Sequence, residues 1–312
     1  MIFFSQAQTD AYLLEDIHGG DLTTRALGIG DTHGRMAFYH RNGGCVSGIA
    51  VARQMLDSLG LNIHCQMQDG ETAAPGQTLL CVSGNTAALH QGWKAVQNVL
   101  EWSCGVSQYM AAMLALLREK HPEGHIACTR KAIPGTRMLA TQAVLAAGGI
   151  IHRGGSAETL LLFANHRRFL DNPDDWHSAV SLLRRQAPEK KIVVEADTPE
   201  EARLALRARP DVLQLDKFTP LQAAEIAALA PSLAPDCTLA LTGGITLATL
   251  AGFLDCGIRL FITSAPLLRT SRGHKSQPEP GRIRHITLNT WNKNNERQQR
   301  LSLYGTIARY HQ

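Results

Sequence analysis

Seven short apolar runs recur between residues 106 and 268, each followed by a polar cluster and then an amphipathic helical stretch. The runs cover 125–128, 150–151, 160–163, 192–194, 212–215, 239–241 and 260–262. Such strand–helix alternation with short connections implies a parallel sheet, and six or seven units suffice to close it into a barrel. Helix starts follow several runs. Thr198-Pro199-Glu200-Glu201 reads as a capping box with proline at the first helical position, and Thr219-Pro220 repeats the Thr-Pro arrangement. A further helix is expected over 246–256, closed by Gly257.

The two flanks differ from this repeat. Residues 1–105 mix alternating stretches (35–41, 77–82) with Gly43-Gly44, Asp69-Gly70 and Pro75-Gly76 turns, as an antiparallel sheet would. They also begin a helical run over 89–117. Three segments are therefore expected: an α/β domain over 1–105, the barrel over 106–270, and a polar tail over 271–312, expected to be disordered.

Charge supports this division. Residues 271–312 hold eight Lys/Arg against two Glu, whereas the other 270 residues hold 23 Lys/Arg against 25 Asp/Glu. The basic character belongs to the tail, so the body is not a nucleic-acid surface. No apolar run approaches bilayer length, and no leader pattern opens the chain. Seven scattered cysteines without a Cys-x-x-Cys argue against a disulfide framework or structural zinc. A soluble protein of the reducing cytoplasm is expected, with no membrane insertion. His121-x3-His125 has zinc-like spacing, but Pro122 and Gly124 spoil a helix there.

In a parallel α/β barrel, reactive groups sit at the C-terminal ends of the strands. Here every run ends in chemistry. In chain order the ends are Thr129-Arg130-Lys131, His152-Arg153, Asn165-His166, Glu195, Asp216, Thr242-Gly243-Gly244 and Thr263-Ser264. Arg130, Lys131, His152 and Arg153 could neutralise carboxylates on a small acid. Glu195 and Asp216 could hold a divalent cation, or stabilise positive charge developing on a sugar carbon. Thr242-Gly243-Gly244-Ile245 before a helix would offer a phosphate cradle.

These residues resemble the quinolinate phosphoribosyltransferase family. The ordered matches include Glu15-Asp16, Gly20-Asp21-Leu22-Thr23, Asn98, Thr129-Arg130-Lys131 followed by Pro134-Gly135, then His152-Arg153, Asn165-His166, Glu195, Asp216 and Gly243-Gly244-Ile245. Within the family the chain is most like a branch that sits alongside molybdate uptake. The resemblance implies an α/β sandwich-like N-terminal domain, an α/β barrel of parallel strands, and a homodimer with sites at the subunit interface. It implies that phosphoribosyl pyrophosphate and quinolinate give nicotinate mononucleotide, CO2 and pyrophosphate with Mg2+, a step of pyridine nucleotide biosynthesis.

Carried over by position, Lys131, Glu195 and Asp216 would be catalytic, the last two also facing Mg2+. Lys94, Arg130, His152, Arg153, Asn165 and His166 would bind substrate, with Asn165-His166 either donating to a phosphate or fixing the loop. Thr242, Gly243, Gly244, Ser264 and Ala265 would bind phosphate. Three positions depart from the family pattern: Lys94 stands for Arg, Phe163 for Lys and Ala265 for Gly. Losing the cation at 163 suggests an acceptor with fewer negative charges than quinolinate. Two other readings stand beside the enzyme: a ligand-binding accessory protein of molybdate transport, and a degenerate scaffold. The second predicts loss of the charged rim, which this sequence retains.

Overall fold

The computed structural model describes residues 2–268 and 286–290. It divides into two compact units, one formed by residues up to Gln108 together with the strand at 286–290, the other beginning at Tyr109. The first contains α1 (Gln6–Ile17), α2 (Leu22–Leu27), β1 (His33–His40), β2 (Gly44–Cys45), α3 (Ile49–Ser58), β3 (Asn62–Gln66), β4 (Thr72–Ala73) and β5 (Gln77–Asn85). The 35-residue α4 (Thr86–Lys120) begins in it and ends in the second unit. Among the described residues no helix is long and apolar enough to cross a membrane.

An antiparallel sheet in the order β13-β1-β5-β3 organises the first unit, β13 being Ile286–Thr290. The polar tail expected over 271–312 is described only at this strand, which pairs antiparallel with β1. The rest of that segment lies outside the described residues. Alternation along β1 sends Met36, Phe38 and His40 to the buried face, while Arg35 points outward.

His40 thus occupies a position the pattern reserves for an apolar side chain. It is fully buried, and neither ring nitrogen has a hydrogen-bond partner among the described residues. Burial pushes its pKa below the ordinary histidine value. With its folded pKa depressed, the stability it contributes is present above the unfolded pKa and is lost as pH falls through the folded pKa. His40→Leu is expected to raise Tm by several degrees and to flatten the acid limb of Tm against pH between pH 5 and 8, since two unpaired buried polar atoms disappear. An unchanged acid limb would reject this account.

The sequence reading expects no disulfide, and here the structure corrects it. Cys65 and Cys81 are directly opposed on β3 and β5, with Cα atoms 5.1 Å apart, and are joined. Spacing along the chain does not reveal this pairing; strand register creates it. The other five cysteines form no disulfide.

The second unit is the parallel barrel. Its strands are β6 (His125–Cys128), β7 (Ile150–Ile151), β8 (Leu160–Leu162), β9 (Ile192–Ala196), β10 (Val212–Asp216), β11 (Thr238–Thr242) and β12 (Leu260–Thr263). They lie in the order β7-β6-β12-β11-β10-β9-β8. Each matches one of the seven runs. The sheet stays open between β7 and β8, which are only two and three residues long and leave little ladder to pair. Ala127, Ala240 and Ile262 pack in the interior with Val212 and Leu260.

The helices of this unit are α5 (Arg137–Ala146), α6 (Ala164–Arg167), α7 (Trp176–Gln186), α8 (Pro199–Arg207) and α9 (Pro220–Leu233). Thr198 and Thr219 cap α8 and α9, each accepting from the third helical amide, but the expected capping box at Thr198 is only half made, because Glu201 Oε2 accepts from Asp197 N–H instead of the Thr198 amide. The helix expected over 246–256 does not form: only a 3-10 turn at Leu250–Phe253 is present. Threonine hydroxyls compete for the backbone there. Thr246 N–H donates to Thr249 Oγ1 at 2.9 Å, and Thr249 Oγ1 donates to the Gly244 carbonyl at 2.8 Å.

Candidate active site

A cavity of about 920 Å³ opens at the C-terminal ends of the barrel strands. Alternation and register decide what faces it. Gln214 on β10 pairs with Glu195 on β9, and Asp216 pairs with Thr242 on β11. Paired residues of parallel strands share a face, and so do residues two apart, so all four look into the barrel. Arg130 and Lys131 after β6 line the same cavity, as do His152 and Arg153 after β7. Cations thus stand on one part of the wall and the two carboxylates on another, within a single space.

The carboxylates are unequal. Glu195 is half-buried, and its pKa is raised, first by burial and then by Asp216 and Asp197; Gln214 and Lys131 partly offset this. Gln214 Nε2 donates to Glu195 Oε2. Asp216 Oδ2 accepts from Lys217 Nζ at 2.8 Å. Lys217 adopts a positive φ of 57°, and its N–H donates to the Thr242 carbonyl at 2.9 Å. Burial first, and then the Arg153 charge, place the His152 pKa below the ordinary histidine value.

Gly243 has φ +78, and an added Cβ would stand 2.5 Å from Asp216 Oδ1 and 2.7 Å from the Lys217 nitrogen. Only glycine lets the β11 loop lie against the end of β10. This loop is tied to the loop after β12: Thr263 Oγ1 donates to the Ile245 carbonyl at 2.6 Å and accepts from Ala265 N–H at 2.9 Å. Thr129 Oγ1 and Ser264 Oγ share a hydrogen bond of 2.5 Å. The expected cradle of helical N–H groups is corrected accordingly. Thr242, Gly243, Gly244, Ser264 and Ala265 all line the cavity, but on two crosslinked loops instead of a helix N-terminus, and the Ala265 N–H is already engaged.

Of the other sequence-derived candidates, Lys131, Arg130, His152, Arg153, Glu195 and Asp216 come together here. Asn165 and His166 do not: both are exposed on α6, and the His166 ring packs edge-on against Phe163 at 4.4 Å. Phe163 itself faces the cavity beside Leu161. Lys94 lies on α4 in the first unit, exposed, with Nζ 3.5 Å from Gln97 Oε1. The zinc-like pair is not a ligand pair, since His121 Nε2 contacts the Leu254 carbonyl at 2.6 Å; among the described residues no group of three His, Cys, Asp or Glu could hold a metal.

Sequence reasoning missed Gln214, Lys217 and Tyr109, all lining the cavity. Tyr109 is hidden within a long helical run, and its hydroxyl accepts from Leu247 N–H at 2.9 Å. Gln214 did carry a signal, as the polar residue inside the apolar run 212–215.

Comparison with known proteins agrees across the chain. Residues 106–271 match the quinolinate phosphoribosyl transferase C-terminal domain, and residues 21–104 match the N-terminal domain of the same family. ModD of Escherichia coli O6:H1 is 72% identical over 266 residues, covering 85% of this chain and 94% of that protein. The nicotinate-nucleotide pyrophosphorylase (carboxylating) of Mycobacterium leprae is 29% identical, covering 79% of this chain and 87% of that one. The solved nicotinate-nucleotide pyrophosphorylase of Francisella tularensis superposes with a TM-score of 0.78 at 19% identity, covering 92% and 97% of the two chains, and so shares the fold.

Proposed function

The chain belongs to the quinolinate phosphoribosyltransferase family, and from that premise we propose that it transfers the phosphoribosyl group of phosphoribosyl pyrophosphate to a pyridine carboxylate. One observation carries this reading: a single cavity holds the basic side chains Arg130, Lys131, His152, Arg153 and Lys217, two carboxylates and two crosslinked loops. An anionic ring, a ribosyl carbon gaining positive charge, and a phosphate need those three kinds of wall.

In the proposed reaction the pyridine nitrogen lone pair forms a bond to the anomeric carbon. The carbon–oxygen bond to pyrophosphate breaks, and pyrophosphate leaves with the electron pair. Glu195 and Asp216 stabilise the oxocarbenium character that develops. Arg130, Lys131, His152 and Arg153 orient the ring through its carboxylate. With quinolinate, the carboxylate on the ring carbon beside the quaternised nitrogen then leaves as CO2; its bonding pair stays on that carbon, stabilised by the adjacent positive nitrogen, and takes up a proton. Desolvation of that carboxylate in the cavity favours the loss.

Mg2+ fits this donor set. Glu195 and Asp216 are hard oxygen ligands in one cavity, and Mg2+ is commonly held by one or two carboxylates plus substrate phosphates. When bound, it would supply charge to the departing pyrophosphate. A homodimer in which Lys94 serves the partner's site, a cytoplasmic setting and a physiological link to molybdate uptake belong to the same proposal.

Phe163 and Leu161 make part of the wall apolar. This supports an acceptor less anionic than quinolinate, such as a pyridine monocarboxylate. Pyrophosphate release measured with phosphoribosyl pyrophosphate, Mg2+ and either quinolinate or nicotinate tests the reading. Nicotinate is expected to give the higher kcat/KM. Phe163→Lys is expected to shift the ratio toward quinolinate by about 10- to 100-fold, the range of one recovered charge-assisted contact. Release with neither acid would overturn the proposed function, and an unmoved ratio would overturn the role of Phe163.

A further inference from the structure

Gln214 is a costly residue for its place. It sits within β10, 4% exposed, between Leu213 and Leu215, which are fully buried. Its register partner on β11 is Ala240, also fully buried. Leucine or methionine would fill this position with no polar group to satisfy.

The orientation of the amide follows from its neighbour. An ionised carboxylate only accepts hydrogen bonds, so the NH2 group must face Glu195, and Nε2 donates to Oε2. This leaves Gln214 Oε1 on the far side, buried and without a partner among the described residues. A stranded buried acceptor destabilises the fold. The compensation lies in what the NH2 group does for Glu195.

Glu195 needs such a restraint. Asp216 and Asp197 both repel it, and Lys131 attracts it. Left alone, the side chain has several rotamers available and a reason to swing away from Asp216. We infer that Gln214 is a positioning residue: it pins Glu195 Oε2 from the adjacent strand, so that Oε1 is presented to the ribosyl donor. The pair is 19 residues apart in sequence and is joined by the β9–β10 register. This inference rests on the functional reading above, and it adds a residue to which that reading gives no role.

Gln214→Met and Gln214→Leu, each measured in the full-length protein beside wild type, test it. For both variants kcat is expected to fall about tenfold or more, with KM for the pyridine carboxylate within about twofold, since the acceptor's contacts are untouched. Calorimetric affinity for phosphoribosyl pyrophosphate with Mg2+ is expected to fall as well. Tm is expected to stay level or rise by a few degrees, because the unpaired Oε1 is gone. Opposite movement of activity and Tm is the signature, as a merely structural role would lower both together. A parallel fall in Tm and kcat overturns the inference, and so do variants with wild-type kcat and donor affinity. Absence of turnover in the wild type overturns the functional reading alone; the Gln214 inference is then decided by donor affinity and Tm.

Discussion

Glu195→Gln is expected to lower kcat for phosphoribosyl transfer by about 10²- to 10³-fold, the usual loss when one preorganised electrostatic contact to a transition state is removed. The substitution keeps volume and shape, and the new amide oxygen can still accept from Gln214 Nε2. Charge is what disappears. Because Asp216 and Asp197 repel the native carboxylate, and burial already disfavours its ionised form, the folded protein gains by the change. The sign follows from linkage. Glu195 has its pKa raised in the fold, so its favourable contribution belongs to low pH and is lost as pH rises through the folded pKa. Above that folded pKa the ionised group works against folding, and there the glutamine variant is expected to melt at or above the wild-type temperature. Steady-state kinetics with calorimetry checks both halves. Turnover within a few-fold of wild type would remove Glu195 from the mechanism.

Glu201→Ala is expected to cost the fold about 3 kcal/mol, lowering Tm by roughly 6–12 °C for a unit of this size. Arg167 explains the magnitude. Its guanidinium is almost fully buried, donates to Glu201 Oε1 at 2.7 Å and to the Pro173 carbonyl at 3.3 Å, and lies 3.9 Å over the Trp176 ring. Removing Glu201 leaves that charge buried with no carboxylate. Glu201 Oε2 also accepts from Asp197 N–H at 2.9 Å, tying the segment after β9 to α8. Arg167 closes α6, the short helix that follows Phe163, so the pair braces one wall of the cavity from behind. The paired variant Arg167→Met with Glu201→Leu is expected to recover most of the lost stability, since no charge remains to be stranded. Thermal melts of the single and paired variants read this directly. Equal melting of Glu201→Ala and wild type would reject it.

Most of the barrel is legible along the chain because each strand is a short apolar run ended by a polar cluster, and β6 to β12 fall on those seven runs. The rim is legible for the same reason: a residue at a strand end has only the mouth of the barrel to face. Where the reading went astray, a local pattern lost to a neighbour. The stretch 246–256 has helical spacing, but Thr246 and Thr249 capture the backbone groups a helix would need. Asn165 and His166 follow β8 directly, yet one turn of helix carries them outside and leaves Phe163 on the wall.

Residue order alone settled that the chain forms a parallel barrel with its charged groups at one mouth, because periodicity and caps act over a few residues. Spatial packing decided the rest. Cys65 meets Cys81, Gln214 meets Glu195, and Gly243 lies against Asp216 only through strand register and loop approach. Such meetings join residues 16 to 27 positions apart through the tertiary fold, so no local pattern can announce them.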